Sequence, residues 1–509
     1  MEKYYITTAI DYVNAPPHIG HAYEKIAADV LARYHRLQGR DVFFLTGVDE
    51  HGVRIEKIAI EAGKSPQAFC DEMSAKFSDT WKNLGISYDY FIRTTEKRHE
   101  ISVQELFRRL QAKGDIYKSS YQGLYCDGCE DFWRERDLDE NGNCPLHKRP
   151  PKLVEEENFF FRLSKYKPVI KEWLEADASR LQPEGRRREV LNNLDDAELT
   201  DFSVSRSRKS LNWGIPVPDD ADQVIYVWLD ALTNYITGVG FATDDASFKR
   251  YWPADLHLIG KDITKFHAVY WPAMLLAGDL PLPEHIYAHG FITVEGQKIS
   301  KSLGNVIDPN QLALEYGADA VRFYLLASTP FDQDGDFARE RFKEKVNAEL
   351  ANNLGNLVNR TLTLINQHCG GLVPNVESDN NIREQANDIY KVMKSHMERL
   401  EFAKAIEAIF AIVDQVNKYF NDAKPWTLFK NGKQAEGEIA LYTSLEILRR
   451  TVLCIYPFTP ELAKNIWAQL GYTTDITDGA KEQGEAAFFD VIKPGQKISN
   501  QGPVFKRLE

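Results

Sequence analysis

The chain has 509 residues, too many for one compact core, and should divide into about three domains. Hydrophobic residues make up 43% and charged residues 27%, as in ordinary globular proteins, and no apolar run is long enough to span a bilayer. A formal net charge of −13 speaks against a uniformly basic nucleic-acid binder but leaves room for a local basic face. Arg186, Arg187 and Arg188, and the run Arg206, Arg208 and Lys209, are candidate basic patches, with solvated surface runs as the alternative. The amino terminus lacks the basic-then-apolar plan of a secretory signal, so the expected location is cytoplasmic.

Residues 4–10 form a short β-rich run, followed by a turn through Asn14, Pro16 and Pro17. Over residues 20–38 the apolar side chains Ile26, Ala27, Val30, Leu31, Tyr34 and Leu37 recur at helical spacing, and Gly39 stops the pattern. Residues 41–49 then read as a buried strand. Strand, helix and strand in this order make a parallel crossover unit, which predicts a doubly wound α/β sheet. A second such region spans residues 224–338, with strands expected at residues 255–260 and 285–292 and a helix through His267 and Leu275. Residues 117–223 are expected to be an insertion between the two α/β halves, the first half being residues 1–116. From residue 339 to 509 the pattern is long amphipathic helices, such as the stripes Leu350, Leu354, Leu357, Leu364 and Ile406, Ile409, Val413. That predicts a helical bundle.

Six cysteines over this length do not make a disulfide framework. Cys70, Cys369 and Cys454 stand alone and are expected to be buried thiols. Cys126 and Cys129, then Cys144 and His147, form two pairs of soft ligands with two residues inside each pair, the spacing of a tetrahedral zinc knuckle. Four protein ligands leave no open position, so such a zinc would be structural. Unrelated thiols are the alternative.

His18, Gly20 and His21 stand where the first strand leads into the first helix. A helix amino terminus offers N–H groups and a positive dipole end to phosphate, and Gly20 permits close approach. Lys298, Ser300 and Lys301, between Gly296 and Gly304, make a cationic loop able to close over a triphosphate. Either motif alone could be a surface feature; both, in this order at the ends of two parallel half-sheets, are specific.

With the motifs His-Ile-Gly-His (residues 18–21) and Lys-Ile-Ser-Lys-Ser (residues 298–302), the sequence resembles the class I aminoacyl-tRNA synthetases. Within that class it is most similar to the methionyl-tRNA synthetase family, in the form with a single zinc knuckle. The segments ITTAIDYVNAPPHIGHAYE, TGVDEHG, YVWLDALTNYI, IGKDITKFH, HGFITVEGQKISKS and AKPW carry the likeness along nearly the whole chain. The resemblance implies a Rossmann-like catalytic domain split by a zinc-bearing insertion, followed by an α-helical bundle that binds the anticodon. It implies ATP-dependent activation of methionine and its transfer to tRNA(Met), for initiation and elongation.

By the same resemblance, His18, His21, Lys298 and Lys301 would be catalytic, and together with Gly20 and Ser300 would bind ATP, accompanied by Mg2+. Ala9, Ile10, Tyr12, Asp49, Trp228, Tyr235, Ile263 and His267 would form the methionine site. There Asp49 holds the ammonium, aromatic side chains wall an apolar slot, and His267 faces the thioether. Asn356, Arg360 and Trp426 would read the CAU anticodon by stacking and edge hydrogen bonds. Trp228, Tyr235 and Trp426 could equally be core aromatics. Cys126, Cys129, Cys144 and His147 would hold one structural Zn2+. The chain ends at GPVFKRLE without the dimerising extension of some relatives, so a monomer is expected, with no membrane partner.

Two other classes fit parts of this pattern. A nucleotidyltransferase shares the first motif but needs neither a knuckle nor a helical anticodon domain. A zinc-dependent RNA-binding module would leave both nucleotide motifs without a purpose. Among synthetases, the leucine, isoleucine and valine enzymes carry a large editing domain for which residues 117–223 are too few.

Overall fold

The computed structural model describes all residues except 1, 130, 134, 198, 300–303 and 480–483. Its centre is a parallel sheet built from β1 (Lys3–Thr8), β2 (Asp11–Tyr12), β3 (Asp41–Asp49), β4 (Tyr90–Arg93), β5 (Leu181–Gln182), β6 (Leu256–Gly260) and β7 (His285–His289). The order is β4-β3-β1-β6-β7-β5, with β2 pairing β3 beyond the end of β1. From β1 the chain builds outward to β3 and β4 on one side, then returns to β6 and β7 on the other. The order therefore reverses between β1 and β6, and a crevice opens at their carboxyl ends.

Strand periodicity explains the layering, because alternate side chains face opposite sides. Tyr4, Ile6, Phe44 and Leu258 point into one hydrophobic core, which continues into the carboxyl-terminal helices. Tyr5, Leu45 and Ile259 point into a second core shared with the helices Lys97–Ala112, Val227–Thr237 and Trp271–Ala277. The strand expected over residues 41–49 coincides with β3. The one expected over residues 4–10 ends at Thr8, and the chain then steps to β2.

The first helix, Ile19–Leu37, carries the expected apolar stripe, yet Glu24, Lys25, Asp29 and Arg33 are buried as well. The helix lies between the sheet and the helical bundle, so it has no solvated face. Its charges are paired instead, as burial requires. Asp29 accepts from Arg33 Nε at 2.7 Å and pairs with Arg322 at 2.6 Å. Arg322 also donates to Phe458 O at 3.0 Å and Pro457 O at 2.7 Å in the bundle.

Between β4 and β6, an antiparallel sheet orders Asp131–Trp133, Ile116–Cys126, Lys152–Phe161 and Phe202–Ser203. Beyond Ala338 the described chain is helical: Arg339–Val346, Asn347–Gly355, Asn356–His368, Asn380–Glu398, Phe402–Ala423 and Gln434–Ile455 are the principal elements. Leu350, Leu354 and Leu357 are buried, as are Ile406, Ile409 and Val413, while Leu364 is half-buried. Among the described residues, no helix is long and apolar enough to cross a membrane.

Two surface readings are corrected. Arg186 pairs with Glu189, and Arg187 and Arg188 both pair with Glu184, so that run is charge-balanced by its own helix. Arg206 is buried, donating to Ser203 Oγ and Ser205 O at 2.8 Å each and lying over Tyr226. Arg206 is therefore not part of a surface patch, while Arg208 is half-buried and Lys209 exposed. Cys70 and Cys454 are buried, but Cys369 is only half-buried because it caps the exposed end of helix Asn356–His368.

Candidate active site

The crevice holds the first nucleotide motif in a specific geometry. His18 is the N-cap of helix Ile19–Leu37, and the two histidines form a reciprocal capping box. Gly20 N–H donates to His18 Nδ1 at 3.1 Å, and His18 N–H donates to His21 Nδ1 at 3.1 Å. The rings stack with centroids 3.8 Å apart. A Cβ on Gly20 would lie 3.0 Å from the His18 ring, which makes glycine the fitting residue there.

This changes what the helix end offers. Ile19 N–H is taken by Ile307 O at 3.0 Å, and the next three N–H groups are taken by His18 or its side chain. The first-turn N–H groups expected for phosphate are therefore already bonded. Each imidazole accepts at Nδ1, so each neutral ring presents Nε2–H as its donor. Burial depresses the His18 pKa to about 4 and holds His21 well below its usual range, so both remain neutral at pH 7.

At the carboxyl ends of β1 and β6 is a cavity of about 500 Å³. Ala9, Ile10, Tyr12, Asp49, Trp228, Tyr235, Ile263 and His267 all line it. Asp49 ends β3, Trp228 and Tyr235 lie two turns apart on one face of helix Val227–Thr237, and Ile263 and His267 follow β6. Trp228 stacks on Phe266 at 3.6 Å, half-buried at the cavity wall. Tyr235 is a buried aromatic and also a cavity residue, so the two readings of that side chain coincide. His267 Nδ1 donates to Ile263 O at 3.0 Å, so Nε2 accepts from Tyr235 Oη at 2.7 Å. Both ring nitrogens are thus occupied, and His267 presents carbon to the slot in place of an N–H toward sulfur. Burial takes its pKa down to about 4.

Lys298 is exposed on the short strand Gln297–Lys298, which pairs antiparallel with Ile292–Val294 beyond β7. Ile299 packs on the core and lies 3.9 Å from the position of a Gly20 Cβ, so the second motif abuts the first. Ser300 and Lys301 lie outside the described residues.

Cys126, Cys129, Cys144 and His147 converge, with every ligand atom within 4.8 Å of the others. His147 Nδ1 is 3.9, 3.3 and 3.8 Å from the sulfurs of Cys126, Cys129 and Cys144, and Cys129 Sγ is 3.5 Å from Cys144 Sγ. Tetrahedral zinc with bonds of about 2.0–2.3 Å needs edges of about 3.4–3.8 Å, so the donor set fits a metal of that size. A Cβ on Gly128 would sit 2.6 Å from the His147 ring, so only glycine allows this closure. Unexpectedly, Gly128, Cys129, Trp133, Leu146 and His147 also wall the cavity.

Far from this crevice, Asn356 and Arg360 lie one turn apart on helix Asn356–His368. Arg360 lies over Phe420 at 4.8 Å and over Trp426 at 5.6 Å, and donates to Asn421 Oδ1 at 2.8 Å. Trp426 is 41% exposed, which excludes a core role.

Four buried groups beside the crevice carried no motif in the sequence: Asp11, Glu24, Lys25 and His289. The mixed charges within an otherwise apolar helix were the available signal.

Comparison with known proteins agrees with this geometry. The family "tRNA synthetases class I (M)" matches residues 4–149 and 139–362. "Anticodon-binding domain of tRNA ligase" matches residues 379–493. With its nucleotide motifs at the switch point of a parallel sheet, the chain is a class I tRNA synthetase. It is 44% identical to the methionine–tRNA ligase of Thermotoga maritima, covering all of this chain and 80% of that protein. It is 43% identical to the methionine–tRNA ligase of a Nostoc species, over 99% of this chain and 97% of that one. The structure of Mycobacterium tuberculosis methionyl-tRNA synthetase in complex with methionyl-adenylate matches with a TM-score of 0.94 at 41% identity, covering both chains fully. The chain belongs to the methionyl-tRNA synthetase family. The nucleotidyltransferase and RNA-module alternatives are thereby excluded.

Proposed function

We propose that the chain forms methionyl-adenylate in the cavity between β1 and β6 and passes the methionyl group to a tRNA held by its helical bundle, in the cytoplasm. The observation that carries the site assignment is the convergence of eight residues from four separate segments, residues 9–12, 49, 228–235 and 263–267, on one cavity.

The methionine carboxylate oxygen attacks the ATP α-phosphorus, a P–O bond forms, and the bond to pyrophosphate breaks. A carboxylate is already nucleophilic, so catalysis rests on positioning and charge stabilisation. Asp49 binds the ammonium, and Trp228, Tyr235 and His267 wall the thioether slot. His18 and His21 donate Nε2–H to phosphate oxygens, and Lys298 and Lys301 compensate charge on the leaving pyrophosphate. Mg2+ bound with ATP supplies further charge compensation. A terminal ribose hydroxyl of the tRNA then attacks the methionyl carbonyl and AMP departs.

Cys126, Cys129, Cys144 and His147 would hold one zinc, which supplies a structural cross-link when bound. Asn356, Arg360 and Trp426 would read the CAU anticodon, the exposed indole serving as a stacking platform. The test is ATP–pyrophosphate exchange with each standard amino acid in turn. Methionine is the expected sole strong substrate, while close analogues give weak exchange because one methylene is worth only about 1–3 kcal/mol. Strong exchange with leucine or isoleucine would refute the slot assignment.

A further inference from the structure

The charges buried around Lys25 take part in none of the steps above. Lys25 is 1% exposed, nearly two turns into the helix that begins after His18. Its ammonium donates to Ala9 O at 2.9 Å, Asp11 Oδ1 at 2.7 Å and Glu24 Oε1 at 2.9 Å. An ammonium has three donors, and all three are used. Burial works against the charge, but Asp11 and Glu24 outweigh it and hold the Lys25 pKa above its usual value. Glu24 Oε2 is in turn bonded to His289 Nε2 at 3.0 Å, at the end of β7. Asp11 Oδ2 is buried and has no hydrogen-bond partner.

One side chain therefore joins the strand that walls the cavity to the helix of the first motif, and through Glu24 to β7. A buried ion pair is a poor way to add stability compared with apolar packing, so its retention here points to geometry. The decisive contact is the bond to the Ala9 carbonyl, because Ala9, Ile10 and Tyr12 line the cavity while Asp11 turns away from it into the helix.

We propose that Lys25 is a positioning residue for methionine binding, fixing the Ala9–Tyr12 wall by gripping the Ala9 carbonyl from the first helix. This rests on the reading that the cavity binds methionine. Without Lys25, the Ala9 carbonyl loses this donor while Ala9 N–H stays bonded to Leu258 O and Tyr12 stays paired with β3, and Asp11 loses the cation paired with it among the described residues.

The test measures KM for methionine and for ATP separately in the exchange reaction, with adenylate burst amplitude counting competent sites. Lys25→Met should raise the methionine KM about tenfold or more and the ATP KM less than about threefold, the effect of losing a charge-assisted hydrogen bond on one substrate's side. If the single variant does not fold, Lys25→Met with Asp11→Leu restores the charge balance while still lacking the grip on Ala9, and should show the same split. Trp228→Ala serves as the control for the cavity itself. A folded Lys25 variant with an unchanged methionine KM, or with both constants raised equally, overturns the proposal provided Trp228→Ala raises the methionine KM. If Trp228→Ala also leaves that constant unchanged, the cavity assignment is what fails, and this proposal with it. Loss of folding in both the single and the double variant overturns positioning in favour of a purely structural role.

Discussion

The cavity and the proposed anticodon face present their side chains in opposite ways. In the cavity, Tyr235 and His267 are 1% and 2% exposed, and their polar atoms bond to one another and to Ile263 O. The polar atoms of those two side chains are thereby satisfied, while Asp49, Asn234, Asp262 and Lys265 give the same cavity its polar lining. On the bundle, Trp426 is 41% exposed and Arg360 lies over its ring from an adjacent helix. Bases splayed from an RNA loop need such open planes and free edges. The contrast teaches that a pre-satisfied site reports through substrate constants, whereas an open one reports through partner affinity alone.

The sharpest separation should come from His21→Ala. It removes the Nε2–H proposed to meet a phosphate oxygen and should lower the exchange rate constant about 10²–10³-fold, the range for deleting one oxyanion-type donor. Methionine KM should change little. An equal fall in tRNA charging with exchange intact would break the division between the two regions.

Trp426→Ala tests the other end. A stacking contact is worth about 1–3 kcal/mol per base, so charging should fall about five- to 150-fold in kcat/KM for tRNA. Methionine-dependent exchange should stay within about twofold, measured after circular dichroism confirms folding. Normal charging by a well-folded variant would remove Trp426 from the recognition surface.

Cys126→Ser should release the metal, from one zinc per chain in the parent protein by plasma mass spectrometry. Because the knuckle walls the cavity, exchange should also fall about tenfold, mainly in methionine KM. Full exchange in the metal-free protein would show that the wall holds without its cross-link.

The smallest expected effect is on pH. Burial lowers His18 and His267 from 6.5 to about 4, so between those values the unfolded chain binds more protons than the folded one. Stability from these groups is complete above about pH 6.5 and is lost as pH falls toward 4. Hydrogen exchange corrected for its intrinsic pH dependence should show helix Ile19–Leu37 opening up to about tenfold more per pH unit through His18, and residues Phe266–Tyr270 doing the same through His267.

Much was legible from the sequence because it is local. The buried-strand reading placed β3 to the residue, helical spacing placed Ile19–Leu37 within one residue, and paired ligand spacing anticipated the convergence of Cys126, Cys129, Cys144 and His147. The same local reading failed for Arg206, which a run of basic residues made look solvated. It also missed Lys25, an apparent polar-face residue.

The sequence by itself determined the element periods, the two nucleotide motifs and the ligand set, since each is a pattern of neighbours a few positions apart. Only the tertiary structure decided which charges are buried, which imidazole nitrogen is left to donate, and that the knuckle closes one side of the cavity. Those depend on layers contributed by residues hundreds of positions apart, such as Glu24 and His289, and burial is a property of the assembled layers.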